Sequence, residues 1–252
     1  MDDLKASFPD RYKQLLSLAY FFVLEEGMSA YRLRKWALTH KHSYGRDIPS
    51  QQISDLMGSI DEASKMNFFR RQAKRRAEKE YLAFDTTSIS SYSELIKLAK
   101  YGKNKEGDHL PQVNFALLYG EVSRLPVYFR KLTGNTADVS LIRNLMLDID
   151  FLDMKKLSFV MGRSFYSEKN INDLMKRHHK FLIGIRCGLK IARKHLDEIR
   201  GEKMISWENY HDDVGLYAMS FTDEWDYREE QPRTGKCICD KRRVYVLSLI
   251  HI

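Results

Sequence analysis

YLAFDTTSISSYSE, residues 81–94, is where the chain changes character. Before it the residues recur with helical spacing. Here an apolar run, Tyr81 to Phe84, ends in a carboxylate, Asp85, followed by hydroxyl-bearing residues. A short apolar run with polar residues at its end reads as a buried strand. Outward from it, the turn-rich YGKNKEGDHLP (101–111) leads to VNFALLY (113–119), a second strand. Gly120 and Glu121 open a turn before a third strand, LPVYFRKL (125–132). TGNTAD starts a helix, with Thr136 or Asp138 as its cap, that runs through VSLIRNLMLDI. KLSFVM (156–161) is a fourth strand, Ser167 caps a helix to about Arg177, and KFLIGI (180–185) is a fifth strand. Three strands in succession favour an antiparallel meander, and helical crossovers add parallel strands. The expected fold is therefore α/β: a mixed five-stranded sheet with flanking helices.

On the N-terminal side, residues 10–40 read as helices broken at Gly27, with Ser29 able to cap the second. After a loop holding Gly45 and Pro49, Ser50 is the expected cap of QQISDLMGSI, whose Ile53, Leu56, Met57 and Ile60 share one face. Asp61 is the expected cap of a helix running to about Glu80. That helix carries Lys65, Arg70, Arg71, Lys74, Arg75 and Arg76. Two short helices around a tight turn resemble a helix-turn-helix; a solvated basic face is an equal alternative. Beyond residue 200, MISWENY, GLYAMSF and RRVYVLSLI read as strands, with Glu224, Glu229 and Glu230 in a loop. The expected organisation is a helical region at 1–79, a core at 80–200 and a β-rich segment at 201–252.

The 252 residues carry a formal net charge of +8, with 30% charged and 43% hydrophobic residues. That allows a real core and suits a polyanionic partner, since a cation placed on a phosphate releases a counterion. No run of eighteen apolar residues appears, as a spanning helix would need, and the acidic-then-polar N-terminus does not resemble a signal peptide. Three cysteines, Cys187, Cys237 and Cys239, are too few for a disulfide scaffold, and a reducing cytoplasm is the expected compartment. Cys237-x-Cys239 is too small a set for a four-ligand zinc site, so the sequence assigns it no role.

Longer motifs carry a specific resemblance. FDTTSISSYSE (84–94), KYGKNKEGDHLPQVNFALLYGEVSRLPVYF (100–129), LTGNTADVSLIRNLM (132–146), FVMGRSFYSEKNINDLM (159–175) and KFLIGIR (180–186) resemble the DDE-type transposases of the insertion-sequence-four superfamily. The resemblance covers roughly residues 30–245. It implies an RNase H-like core with a β-rich insertion. It also implies DNA transposition, by metal-dependent strand cleavage and strand transfer at insertion-sequence ends. Such chemistry uses two divalent ions, Mg2+ or Mn2+, roughly 3.5–4 Å apart and held by carboxylates. The implied partners are double-stranded element ends and further copies of the chain in a synaptic complex, within a prokaryotic, nucleoid-associated cytoplasm.

Carried over residue by residue, Asp85 matches the first catalytic and metal-binding aspartate. The second is expected in a triplet Asp-Arg-Gly before Phe-Tyr-Ser; here the triplet is Gly162, Arg163, Ser164. Each departure is one base transition away, as in the decay of an unselected copy. The third carboxylate, a glutamate on a later helix, is expected to be absent, with the chain stopping inside the β-rich insertion. Asp148, Asp150 and Asp153 are read as solvated or capping rather than as substitutes. The candidate DNA contacts are Arg70, Arg71, Lys74, Arg75, Lys103, Lys105 and Arg163, with Arg124, Arg130 and Lys131 on a possible path along the sheet edge. The chain is therefore expected to be an inactive transposase. Its alternatives are a catalytically dead DNA-binding or transposase-interacting fragment, and a metal-independent module in which Asp85 is structural.

Overall fold

The computed structural model describes residues 1–76, 79–102, 109–136, 138–199, 204–230 and 237–251. The chain forms two compact units: Met1–Lys79 with Ile149–Met154, and Glu80–Asp148 with Lys155–Ile252.

The first unit holds helices α1 (Asp2–Ser7), α2 (Tyr12–Leu24), α3 (Leu33–Thr39), α4 (Ser50–Gly58) and α5 (Glu62–Arg76). Leu18, Phe21, Leu33, Trp36, Ile48, Ile53 and Leu56 make its core. The buried Ser17 ties the loop before α4 to α2, accepting the Tyr44 N–H at 2.9 Å while donating to the Lys13 carbonyl at 2.8 Å. Asp61 caps α5 as expected: its Oδ1 accepts the Ser64 N–H at 2.8 Å, and that bond holds its carboxyl below the ordinary range. The other two expected caps differ. Ser50 is the first residue of α4, with Pro49 at the cap position, and Ser29 precedes a single 3-10 turn without a side-chain capping bond. Proline's fixed φ and missing N–H suit a position where the helix needs no donor.

The second unit begins with β1 (Tyr81–Ser90), β2 (Gln112–Gly120) and β3 (Pro126–Thr133), followed by α6 (Asp138–Phe151) and β4 (Ser158–Met161). Then come α7 (Glu168–Lys176), β5 (Lys180–Ile183), α8 (Lys190–Ile199), β6 (Tyr210–His211), β7 (Leu216–Glu230) and β8 (Cys237–His251). The main sheet has the order β3-β2-β1-β4-β5. β2 is antiparallel to β1 and β3, while β4 runs parallel to β1 and β5 parallel to β4. This is the RNase H-like fold, a mixed five-stranded sheet with flanking helices. β6, β7 and β8 form a second, antiparallel sheet.

The alternation of β1 sets up the site. Leu82, Phe84 and Thr86 are buried, whereas Asp85 points to the opposite, exposed face. Leu141, Ile142, Leu145 and Met146 of α6 are buried, as are Ile171 and Leu174 of α7. β1 does not stop at its acid, as the apolar run alone suggests. It pairs with β2 as far as Ser90↔Gln112, so Asp85 stands mid-strand; hydroxyl-bearing residues satisfy a ladder as well as apolar ones do. α8 was not anticipated, although Ala192, His195 and Ile199 are buried along one face. MISWENY is not a strand: it holds a 3-10 turn, Trp207–Asn209, and passes into the two-residue β6. Glu224, Glu229 and Glu230 lie in strand β7 rather than in a loop, because β7 and β8 pair continuously from Leu216↔His251 to Glu230↔Cys237.

Candidate functional site

The parallel register of β1 and β4 ends at Phe84↔Met161; the residues that follow are Asp85 on β1 and Gly162 just past the end of β4. Adjacent strands lie about 4.8 Å apart, so these two positions are near neighbours, as two side chains sharing one ion would have to be. Asp85 is exposed, and its Oδ1 accepts the N–H of Thr86 at 2.8 Å. Opposite it, Gly162 has φ −70° and ψ 167°, an extended conformation open to any L residue. A Cβ built there meets no atom within 4 Å.

The backbone beyond Gly162 is firmly held. Its carbonyl accepts the Phe165 N–H at 3.2 Å in the 3-10 turn Arg163–Phe165. The buried Phe165 ring lies 5.0 Å from Phe84, and its carbonyl accepts from Asn170 Nδ2 at 2.7 Å. Asn170 in turn donates its N–H to the Ser167 hydroxyl, at 3.1 Å, which caps α7 as expected. On the far side the Gly184 N–H reaches the Met161 carbonyl at 3.0 Å. The position beside Asp85 is thus firmly built, open and empty of a side chain.

A two-ion centre needs several carboxylates around one point. Among the described residues, no group of three His, Cys, Asp or Glu side chains comes together as a metal cluster. The donor set at this rung, one aspartate facing a glycine, does not fit a pair of divalent ions. The substitutes considered from sequence lie elsewhere. Asp148 is not simply solvated or capping: both its oxygens accept from Arg130 Nη1 at 2.7 Å. That ion pair also engages Arg130. Asp150 and Asp153 are exposed at the end of α6 and in the turn after it, Asp153 with φ 56°.

The candidate DNA contacts separate into distinct groups. On α5, Arg75 Nη2 pairs with Asp3 at 3.0 Å, and Asp3 also accepts from Gln72. Arg70 donates to the Phe151 carbonyl at 3.1 Å and stacks over that ring at 5.1 Å, within the same unit. Arg71 and Lys74 are exposed. Arg163, Arg124 and Lys131 are exposed in the sheet unit. Lys103 and Lys105 lie outside the described residues.

Sequence reading missed the polar seam that docks α7 on the long hairpin. Trp225 Nε1 donates to Asn172 at 2.8 Å, Lys176 pairs with Glu229 at 2.7 Å, and Arg242 donates to the Met175 carbonyl at 2.9 Å. Tyr227 is buried beneath the Arg242 guanidinium, 3.5 Å from the ring centre, and donates to Glu229 at 2.5 Å. Burial, then the bond to Glu229, pushes its hydroxyl pKa up to about 12. An apolar cavity of about 490 Å³ lies between β4, β5, α8 and the hairpin, lined by Phe181, Ile185, Ile191, Phe221 and Val246 among others. Its walls suit greasy groups, not phosphates.

No family model matches the chain, and no curated protein matches it. Among solved structures it is similar to chains of transposase complexes. One is the Mos1 transposase paired-end complex with left transposon end, at 12% identity and TM-score 0.31 over 77% of this chain and 74% of that one. Another is the piggyBac transposase synaptic complex with hairpin DNA, at 14% identity and TM-score 0.47 over 99% of this chain. The chain spans about half, 52%, of that piggyBac chain. The Mos1 mariner paired end complex with Mn is similar at 11% identity and TM-score 0.31, over 79% of this chain and 69% of that one.

Proposed function

We propose that this chain is a DDE-type transposase of the insertion-sequence-four superfamily whose DNA-cleaving centre is disabled at position 162, leaving a basic RNase H-like protein that binds double-stranded DNA without cutting it. The observation that carries the reading is the β1–β4 rung. An exposed aspartate in the middle of the central strand faces the position where a second metal-binding carboxylate belongs. That position has the backbone, the neighbour and the free space for one, and it holds glycine. The sequence motifs around both positions, from FDTTS to GRSFYS, support the superfamily, and the net charge of +8 supports a nucleic-acid partner. Element ends are the DNA this reading implies, and Mg2+ or Mn2+ the ions that an intact relative would hold.

The reading is tested by Gly162→Asp. The substitution meets open space and an allowed backbone, so the variant should fold as the parent does. Two carboxylates on adjacent strands should then bind Mn2+ more tightly than Asp85 alone, by roughly tenfold or more, since a hard cation prefers several oxygen ligands. Calorimetry or Mn2+ relaxation enhancement reads this directly. Asp85→Ala in the Gly162→Asp background should abolish the gain. The parent chain should not nick DNA at any Mg2+ or Mn2+ concentration. No gain in Gly162→Asp, or metal-dependent nicking by the parent, would overturn the reading.

A further inference from the structure

Away from the β1–β4 rung, two thiols come together where the sequence suggested no role for them. Cys237 and Cys239 are residues i and i+2 of β8, so their side chains share one face of the strand. Both are exposed, and their sulfurs lie 3.3 Å apart. β8 is the outer strand of its sheet, pairing with β7 on one side. In the ladder Cys239 stands opposite Arg228 and Cys237 opposite Glu230, so the rungs beside the two thiols carry one cation and one acid.

From this arrangement we infer that Cys237 and Cys239 form a chelating dithiol for a soft, thiophilic d10 cation of the Cu(I), Zn(II) or Cd(II) class. Two routes are open to a close pair of thiols, and geometry separates them. A disulfide needs sulfurs at about 2.05 Å and Cα atoms within about 4.4–6.8 Å. Residues i and i+2 of an extended strand are about 6.6–6.8 Å apart, at the outer limit, so oxidation would require the strand to buckle against its ladder. A chelate asks for much less. Two metal–sulfur bonds of about 2.3 Å at a tetrahedral angle place the sulfurs about 3.8 Å apart, a small relaxation from the observed 3.3 Å. Thiolates select soft cations over Mg2+ or Mn2+, so this site is chemically separate from the Asp85 rung. Binding is balanced: each thiol loses its proton to solvent, two metal–sulfur bonds form, and water or buffer fills the remaining coordination positions. No electron is transferred.

The test uses the full reduced chain and Cd2+ as probe, with thiol counting by a chromogenic disulfide reagent and the thiolate-to-cadmium ultraviolet absorption as readouts. The chain has three thiols, all exposed. One equivalent of Cd2+ should shield two of them, leave Cys187 reactive, and produce the charge-transfer band. Cys187→Ser should bind as the parent does. Cys237→Ser and Cys239→Ser should each weaken binding on the order of 100-fold, because the second bond is intramolecular only in the pair. All three are exposed positions, so the variants should keep their fold. Shielding of all three thiols alike, or equal binding by Cys237→Ser and the parent, would overturn the inference. So would rapid loss of both thiols to a disulfide under mild peroxide with no Cd2+ binding beforehand, which would make the pair a redox element instead.

Discussion

At the β1–β4 rung, one exposed carboxylate faces a glycine across a gap that a side chain could fill. At the seam between α7 and the long hairpin, charged and polar groups meet in pairs: Lys176 with Glu229, Trp225 with Asn172, Tyr227 beneath Arg242. Both regions belong to the same unit and hang from neighbouring parts of the fold, since the Ser167 cap that starts α7 follows the turn that starts at Gly162. The seam gathers half-buried partners around the buried Tyr227, so its groups contribute to packing as well as to charge. The rung projects from the exposed face of the sheet, so its chemistry can be lost with little penalty to folding. The residues of the rung can therefore change without changing the fold.

The sharpest way to break that contrast is to exchange a buried residue and a rung residue. Phe165→Ala removes a fully buried ring that touches Phe84 and should destabilise the unit by about 3–5 kcal/mol. Asp85→Ala, at an exposed position, should stay within about 0.5 kcal/mol. Urea unfolding of both variants reads the difference. A loss of several kcal/mol from Asp85→Ala would mean that the rung is structural and that the metal-independent alternative is right.

The helical unit offers a smaller and separable effect. Arg70 and Arg75 are engaged within the unit, while Arg71 and Lys74 stand exposed on the same helix. If α5 lies on DNA, reversing Arg71 and Lys74 to Glu should weaken duplex binding by about tenfold. It should also flatten the dependence on log salt by roughly 0.9 for each phosphate that is no longer neutralised. Reversing Arg124 and Lys131 in the sheet unit should cost less. Equal losses from both pairs, measured by anisotropy across a salt series, would leave general charge attraction as the whole explanation.

Much of this was legible in the sequence, for identifiable reasons. The five strands of the main sheet are short apolar runs set off by glycine, proline and charged turns, and the acid at 85 stands at the break between apolar and hydroxyl-bearing residues. The length of β1 was not legible, because TTSIS pairs through its backbone and carries few apolar side chains. The hairpin of β7 and β8 was only half visible: TDEWDYREE looks like a loop by charge, yet Trp225 and Tyr227 alternate with acids along it, and cross-strand pairing decides its state. The engagement of Arg70 and Arg75 was invisible, since their partners, Phe151 and Asp3, are distant in sequence. The closeness of the two sulfurs depends on strand geometry that a spacing of two residues does not by itself reveal.

The smallest expected effect tests the other side of the comparison, the seam. The bond from Lys176, then the Tyr227 hydroxyl, holds the Glu229 carboxyl below its ordinary value. A carboxyl with a lowered folded-state pKa contributes stability that is present above the unfolded value, about 4.3, and is lost as pH falls through the folded one. The contribution of the Lys176–Glu229 pair should therefore be constant from neutrality down to about pH 5 and shrink below about pH 4.3. Lys176→Met removes the leading cause of the shift while keeping most of the aliphatic stem. The stability gap between parent and Lys176→Met, measured by urea unfolding at stepped pH, should be small at pH 7 and narrower at pH 3. The Lys176 end of the pair is exposed to solvent, so the gap should also narrow in high salt at neutral pH. A gap unchanged by acid and by salt would show that Lys176 acts through packing alone, and the seam would then owe its order to the buried Tyr227 and the Arg242 guanidinium above it.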